Sequence, residues 1–376
     1  MRNRWTLLLA AFALTLAACS DDSGVLDPSG DPSFGAAASA GQGNVYVISN
    51  ATAGNEVIAF DRAPDGTLSP AGSYATNGYG NGGGLGNQGG LVSSQDGRWL
   101  FAVNAGSDDI SSFYAGPNGL RFADREDSGG TMPISLTVHH DLLYVLNAGD
   151  GGNISGFRVG PDGGLTPLAN STRPIGGAGP AQIQFSPDGR QLVVTEKATS
   201  TISTYVVGKD GLASGPNAQA SVGTTPFGFD FSQRGFLLVS EAAGGPNGSS
   251  VSSYGLDAGG DLEVITPALA TTQMAACWLV VSGNGRLALS ANTPSSSISS
   301  FRIGEDGSLT LLEAQAATTA AGAQPFSMAF SAGDRFLYVR NGVGNVGAYA
   351  VDPDGSLTHI GNFGSLPASA NSIVAR

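Results

Sequence analysis

Histidine and cysteine are scarce in this sequence, and their scarcity excludes several kinds of catalytic site. Only three histidines and two cysteines occur among 376 residues, too few for a disulfide framework. His139 and His140 fall in a predicted turn and His359 in a late strand, so no serine or cysteine nucleophile has a histidine base beside it. No DxDxDG-type calcium loop is present either. We therefore expect no Ser/His/Asp or Cys/His arrangement, no metal ion and no cofactor.

Positive charge is scarce as well. The chain carries 17 Lys and Arg against 30 Asp and Glu, a formal net charge of −13. A surface of that sign repels phosphate backbones, so nucleic acid is excluded as a partner. Charged residues make up only 12%, whereas 41% of residues are apolar and 57 are glycine. Such a chain has enough apolar residues to fill a core and enough glycines for many turns, which is typical of a turn-rich β protein.

A short apolar run near the N-terminus indicates export. Residues 5–18 are mainly apolar, follow Arg2 and Arg4, and are too few to serve as a permanent membrane anchor. The next residue is Cys19, and LAAC at 16–19 resembles the lipobox of bacterial lipoproteins. The resemblance implies cleavage before Cys19 and lipid attachment to its thiol. The alternative is an ordinary signal peptide followed by a chance cysteine.

These features predict three segments. Residues 1–18 are a lipoprotein signal peptide, 19–42 a small, polar, flexible tether, and 43–376 the folded region. The lipid is then the only membrane contact, and it places the protein in the bacterial cell envelope, at the periplasmic or outer-membrane face. With Cys19 lipidated, Cys277 has no second cysteine to pair with, so the fold has to rely on packing.

Seven similar stretches recur, each an apolar strand followed by one polar residue. That residue is asparagine in five repeats and glutamate in two: Asn50, Asn104, Asn147, Glu196, Glu241, Asn292 and Asn341. Their mean spacing of about 48 residues suits a propeller blade of four strands. One repeat reads AQIQF, a SPDGR turn, QLVVT, a hairpin, STISTYVV and a KDG turn, with Pro, Asp and Gly where tight turns need them.

The first and last repeats are incomplete in complementary ways. GNVYVISN (43–50) begins with the second strand of a blade, whereas LPASANSIVAR (366–376) resembles the start of a repeat. We therefore predict an all-β, seven-bladed β-propeller over 43–376, closed by a C-terminal strand that joins the first blade. Closure of this kind pairs the edge that an incomplete first blade would leave open.

Alternating strand direction sorts the loops onto two faces. The hairpin face carries every second-to-third hairpin and the start of every inner strand, and the turn face carries the SPDGR-like and DG turns. We predict Glu196, Glu241, Cys277, Trp278 and the glycine-rich insertion 76–90 on the hairpin face.

With these blades, DG turns and strand-end Asn or Glu residues, the region resembles the propeller lactonase family of 6-phosphogluconolactonase-like proteins and carboxymuconate cyclases. FLYVRN at 336–341 matches the broader YVTN-type propellers. The resemblance implies a lactone hydrolase with a histidine and arginines at the starts of inner strands and a glutamate at a strand end. Here Ala181 replaces the histidine, Phe227 and Gly228 stand where arginine-histidine is common, and Val280 stands where another arginine is expected.

Only the glutamate of that set remains, most plausibly Glu241, with Glu196 one blade earlier. Two adjacent blades could aim both carboxylates at the axial mouth, as general base, hydroxyl-binding groups or cation ligands. The alternative is that both are solvated hairpin residues. Trp278 could stack on a ring, with core packing as the alternative. Gln182 and Cys277 complete the candidate ligand set, although a buried cysteine more often packs inertly.

Three functions follow as hypotheses. The first is a lipid-anchored binding module for a small polar or cyclic molecule, or an envelope protein, at the hairpin face of the central channel. The second is a degenerate lactone hydrolase using Glu241, and the third is a structural envelope propeller. An open mouth lined by Glu196, Glu241 and Trp278 favours binding, whereas a filled channel favours the structural role.

Overall fold

The computed structural model describes residues 43–319 and 322–376, and every regular element in these ranges is a β-strand. The predicted signal peptide, lipidated Cys19 and tether lie outside the described residues. Within the described ranges, no helix has the length and apolar character needed to cross a membrane.

Seven antiparallel sheets form a ring, which confirms the predicted seven-bladed propeller. The strands of the first three blades are β1 (Asn44–Ile48), β2 (Glu56–Arg62), β3 (Leu68–Ala75), β4 (Leu91–Ser93), β5 (Trp99–Asn104), β6 (Asp109–Gly116), β7 (Gly119–Asp127), β8 (Pro133–His139), β9 (Leu142–Asn147), β10 (Asn153–Val159), β11 (Leu165–Pro167) and β12 (Arg173–Pro174). In blade three, β11 and β12 both pair with β10, so the outermost position is shared by two short strands.

The remaining blades each have four strands in sequence order, from the axis outward. Their strands are β13 (Pro180–Phe185), β14 (Gln191–Glu196), β15 (Thr201–Val207), β16 (Ala213–Ala220), β17 (Pro226–Phe231), β18 (Leu237–Glu241), β19 (Ser250–Leu256), β20 (Leu262–Ala270), β21 (Ala276–Val281), β22 (Leu287–Asn292), β23 (Ser297–Ile303), β24 (Leu309–Thr318), β25 (Pro325–Phe330), β26 (Phe336–Asn341), β27 (Asn345–Val351) and β28 (Leu357–Phe363).

The ring closes as the sequence predicts. The last strand, β29 (Ile373–Ala375), pairs antiparallel with β1 and supplies the inner strand of blade one. Two flanking bonds extend the ladder, from Arg376 N to Asn44 O at 2.9 Å and from Asn371 N to Ile48 O at 2.8 Å. Blade one is thus built from both ends of the described chain.

Burial differs between the middle and the outer strands of a blade. Strands such as β5, β9, β14 and β26 are buried along their whole length because neighbouring blades cover both faces. The outermost strands β16 and β24 are mostly exposed or half-buried. This gradient makes the contact between blades the hydrophobic core and leaves the inner strands to line the axis.

The inner strands leave backbone groups without ladder partners on their axial edges. Side chains of the preceding blade supply partners: Ser135 Oγ accepts from Ile183 N at 3.1 Å, and Thr137 Oγ1 accepts from Phe185 N at 3.0 Å. Buried backbone groups need such partners. Polar residues on the inner strands are therefore structural by default, and a ligand role for any of them requires spare hydrogen-bonding capacity.

Candidate functional site

The glycine-rich insertion reaches the propeller axis. Gln88 N donates to Ala181 O at 3.1 Å, and Gln88 Nε2 donates to Leu279 O at 2.8 Å. Leu279 N returns a bond to Gln88 Oε1 at 3.1 Å. Gln88 therefore bridges two blades across the channel, through its backbone N–H to blade four and through its side chain to blade six.

Trp278 packs beneath this insertion. Its exposed fraction is 2%, its Nε1 donates to Asn87 O at 2.8 Å, and its ring makes edge contacts with Phe227 and Phe326, each at 5.2 Å between ring centroids. These contacts favour the core-packing alternative for Trp278, and its ligand-binding role stays a prediction. The tryptophan belongs to the packing that fills this end of the channel.

Small residues on the inner strands make room for Gln88. A Cβ atom on Gly228 would collide with Gln88 Oε1 and Cys277 O, and Ala181 is the residue whose carbonyl accepts from Gln88. The lactonase resemblance places a histidine and an arginine-histidine pair at these two points. At Gly228, a larger side chain would need the space that the Gln88 side chain now occupies.

Glu196 lies inside blade four, with an exposed fraction of 0%. Its Oε1 accepts from Gly176 N at 3.0 Å, and its Oε2 accepts from Ser203 Oγ at 3.1 Å. Burial raises the pKa of this carboxyl, and the bonds from Ser203 and the backbone oppose that rise. Glu196 thus links the connection before β13 to β15, the third strand of the same blade, by these two hydrogen bonds.

Glu241 does the same in blade five, where its exposed fraction is also 0%. Ser250 and Ser252 each donate to its carboxylate at 2.5 Å, and Gly223 N donates at 3.3 Å. Burial again raises the pKa of the carboxyl, opposed by these hydrogen bonds.

The two carboxylates share none of these partners, and neither lines the axial cavity described below. The expectation that they are solvated hairpin residues is wrong, because both are buried. Their catalytic and ligand-binding roles stay predictions, without support from their contacts.

Two of the five asparagines at equivalent positions also bond to a serine on the third strand of their blade. Asn104 Nδ2 donates to Asp109 at 2.6 Å and to Ser111 Oγ at 2.8 Å, and Asn292 Nδ2 donates to Ser299 Oγ at 2.9 Å. In both repeats the serine lies seven residues after the strand-end asparagine. Glu196 and Ser203 obey the same spacing.

Cys277 is completely buried, and no free cysteine occurs in the described part of the chain. The predicted ligand-binding role of Cys277 stays a prediction. Residues 43–319 and 322–376 also contain no cluster of three or more His, Cys, Asp or Glu suited to a metal ion.

The axis remains open toward the opposite, turn face. A cavity of about 360 Å³ lies there, and Gln88 and Gly89 contribute to its lining from the insertion. The polar side chains that line it are Gln88, Ser93, Gln95, Thr137, His139, Gln182, Gln184, Ser186, Asp230 and Ser327. Its volume falls within the usual range for small-molecule sites. Of the predicted ligand residues, only Gln182 lies in this cavity.

A ladder of side chains runs along one wall. Gln182 Nε2 donates to Gln184 Oε1 at 2.8 Å, and Gln184 Nε2 donates to Asp230 Oδ1 at 2.8 Å. Asp230 Oδ2 accepts from Val281 N at 2.9 Å. After these bonds, Gln184 keeps one amide N–H and Asp230 Oδ2 keeps a lone pair. A donor and an acceptor thus stand side by side, both on partly exposed residues.

Sequence reasoning missed Gln184 and Asp230, although a signal was present. Gln184 in AQIQF and Asp230 in FGFDF occupy the same position of consecutive inner strands, one residue before a phenylalanine. A polar residue repeated at a position between apolar neighbours in adjacent blades indicates an axial contact.

The cavity has little attraction for anions. Among the described residues that line it there is no lysine or arginine. Burial and the neighbouring His140 lower the pKa of His139, which favours the uncharged imidazole at neutral pH. Burial raises the pKa of Asp230, against hydrogen bonds from Val281, Gln184 and Phe231. The walls therefore suit uncharged hydrogen-bonding groups.

No family model matches the chain, and no curated protein matches it by sequence. Solved structures match it closely in shape. The periplasmic gluconolactonase of Pseudomonas aeruginosa has a TM-score of 0.69 at 20% identity, over 89% of this chain and 98% of that one. A provisional 6-phosphogluconolactonase from Bacteroides fragilis has a TM-score of 0.70 at 19% identity, over 89% and 98%.

A third match is a protein from Lactobacillus plantarum, with a TM-score of 0.71 at 19% identity, over 89% of this chain and all (100%) of that one. At these identities the likeness is one of fold. The chain has the seven-bladed β-propeller fold of 6-phosphogluconolactonase-like proteins.

Proposed function

We propose that this propeller binds a small, uncharged, polyhydroxylated molecule of the sugar-lactone class in the axial cavity at the turn face. The observation that carries the proposal is the pair formed by Gln184 and Asp230, a spare donor beside a spare acceptor on the cavity wall. A ring hydroxyl both donates and accepts, so it can use both groups at once. The lactone class comes from the structural neighbours whose names specify gluconolactone or its phosphate.

The charge of the cavity lining narrows the class of ligand further. Recognition of a phosphate or carboxylate ordinarily uses arginine, lysine or a helix N-terminus, and the described lining has no arginine or lysine. Asp230 adds repulsion whenever it is ionised. The preferred ligand is therefore an unphosphorylated lactone or sugar rather than a sugar phosphate or the open-chain acid.

Binding is favoured over hydrolysis. A general base must lie within reach of the proton that it abstracts, and the carboxylate of Glu241 is instead enclosed by Ser250, Ser252 and Gly223. The acid product of lactone hydrolysis would also meet no cationic side chain in the described lining. The purely structural alternative leaves the open cavity and its spare hydrogen-bonding groups without a use.

Replacing Gln184 by alanine should weaken the binding of gluconolactam, a lactone analogue that does not hydrolyse, by about fivefold to tenfold, as expected for one lost hydrogen bond. Isothermal titration calorimetry measures this. Gln219→Ala is the matched control, because Gln219 lies on outer strand β16 of the same blade and donates to Gly260 O. Equal affinities for the two variants, or no binding by the wild type, would contradict the proposal.

We also propose that the propeller is held to the bacterial envelope by a lipid on Cys19. The sequence of the lipobox supports this, as does the periplasmic location named for the Pseudomonas aeruginosa neighbour. Cys19→Ser should leave an unprocessed precursor and abolish incorporation of a labelled fatty acid. Ser20→Ala is the control and should be labelled normally. Lipid labelling of the Cys19→Ser protein would disprove the anchor.

A further inference from the structure

A second concave region lies on the turn face, away from the axis. It is a groove of about 950 Å³ between the turns of blades five, six and seven. Its lining includes Arg234, Arg286, Arg302 and Arg335, so four of the 17 Lys and Arg residues of this acidic chain meet in one place. We call it the arginine groove.

Three of the four guanidinium groups are available to a ligand. Arg234 already has partners: its Nη2 lies 3.5 Å from Glu305 Oε1, and its Nη1 donates to Glu305 O at 2.8 Å. Arg335 lies over the Phe336 ring at 5.3 Å, which leaves its N–H groups unused. Arg286 and Arg302 are exposed and have no ion pair or side-chain hydrogen bond within residues 43–319 and 322–376.

Four acidic side chains share the lining of the groove with these arginines: Glu305, Asp334, Asp352 and Asp354. Asp334 accepts from Gly283 N at 2.8 Å and from Asn284 N at 3.1 Å. Asp354 accepts from Ser356 N and Oγ, and these bonds lower the pKa of its carboxyl. Asp354 therefore stays ionised at neutral pH. A densely charged polyanion would meet repulsion from these acidic side chains.

A ligand that fits combines carboxylates for the arginines with hydroxyl donors for the aspartates. Guanidinium groups bind carboxylates with directed, charge-assisted hydrogen bonds, and ionised aspartates need donors. Phe236, Leu287 and Leu312 add apolar surface to the lining, against which the C–H face of a sugar ring can pack. We infer that the arginine groove binds an acidic polysaccharide built from uronic-acid-type sugars, with carboxylates on the arginines and hydroxyls on the aspartates.

This inference does not rest on the axial cavity. Ser232 lines the groove and Phe231 lines the cavity, so the two sites adjoin on one face, but neither lining includes a residue of the other. A variant in one site therefore tests that site alone. Gln184→Ala should leave the groove unchanged, and a groove variant should leave gluconolactam binding unchanged.

The probe is an oligogalacturonate hexamer, titrated by calorimetry or fluorescence anisotropy at low salt. Arg286→Gln should weaken its affinity about tenfold, and Arg286→Gln with Arg302→Gln about a hundredfold. Arg98→Gln is the matched control, because Arg98 occupies the equivalent turn position of blade two, outside the groove. It should retain wild-type affinity, and added salt should weaken binding to the wild type.

Three results would overturn the inference. The first is no binding of the hexamer by the wild-type chain at low salt. The second is an equal loss in Arg98→Gln and Arg286→Gln, which would mean general attraction to exposed arginines. The third is binding of polyphosphate as tightly as the hexamer, because the acidic walls predict rejection of a dense polyanion. A neutral maltohexaose should bind at least tenfold more weakly than the hexamer, since it has no carboxylate for the arginines.

Discussion

Deletion of residues 369–376 is expected to lower the free energy of unfolding by about 4 kcal/mol or more, well beyond an ordinary terminal truncation. The segment contains β29, whose loss exposes the ladder edge of β1 and leaves blade one without its inner strand. It also ties blade one to its neighbours, because Ser372 Oγ accepts from Gly90 N at 2.9 Å and Ile373 N donates to Ser327 Oγ at 3.2 Å. Urea denaturation followed by far-UV circular dichroism measures the loss.

Two controls separate closure of the ring from loss of a terminal segment in general. Ile373→Ala removes one buried side chain and should cost an intermediate amount, about 2–3 kcal/mol. A synthetic peptide of residues 369–376, added to the truncated chain, should recover part of the lost stability by pairing with the free edge of β1. A truncated chain that unfolds at the same urea concentration as the full chain would refute the closed ring.

Glu241→Ala should destabilise the protein by about 3 kcal/mol, because it leaves the hydroxyls of Ser250 and Ser252 and the amide of Gly223 without their partner. Glu241→Gln keeps an acceptor and the side-chain volume, and should cost less than about 1.5 kcal/mol. Glu263→Ala, on the exposed outer strand of the same blade, is the control and should stay within about 0.5 kcal/mol of wild type. Equal stability of the alanine and glutamine variants would contradict the buried hydrogen-bonded role.

The free energy of unfolding should also depend on pH through the Glu241 carboxyl. Burial raises the pKa of Glu241 above its ordinary value of 4.5 in the folded state. Its favourable contribution is therefore complete below the unfolded-state pKa and is lost as the pH rises through the folded-state pKa. Glutamine cannot ionise, so the stability of Glu241→Gln relative to wild type should improve across that interval. A difference that grows in the opposite direction would show that the folded state prefers the charged form.

Activity separates the structural role of Glu241 from the predicted catalytic one. If a lactonase rate can be measured, the structure predicts that Glu241→Gln leaves it within about twofold of wild type, since this carboxylate does not line the axial cavity. A general base typically contributes 10²–10⁴-fold. A loss of that size in a fully folded Glu241→Gln protein would restore Glu241 as the base.

The blade count and ring closure follow from the sequence because they depend on local signals. Each blade repeats an apolar strand, a tight turn and one strand-end polar residue, and LPASANSIVAR matches the inner strand that GNVYVISN lacks. The burial of Glu196 was also encoded locally, in Ser203 seven residues later. Sequence position alone does not show that the connection before β13 covers Glu196. For that reason a solvated hairpin residue was an open alternative.

The position of the cavity could not be predicted in this way. Gln88 reaches Leu279 across 191 residues of sequence, and nothing in a glycine-rich loop specifies that one of its side chains will fill the axis. Only the small size of Ala181 and Gly228 hints at a space for it. The change of candidate site, from the hairpin end to the turn end of the channel, depends on the long-range contacts of Asn87 and Gln88.

The measurement that tests the central claim most directly is a crystal structure of the propeller with gluconolactam. The account predicts ligand density in the axial cavity at the turn face, with ring oxygens within hydrogen-bond distance of Gln184 and Asp230 and with Gln88 still bridging to Leu279. Density at the hairpin face beside Glu241 and Trp278, with the insertion displaced from the axis, would contradict it.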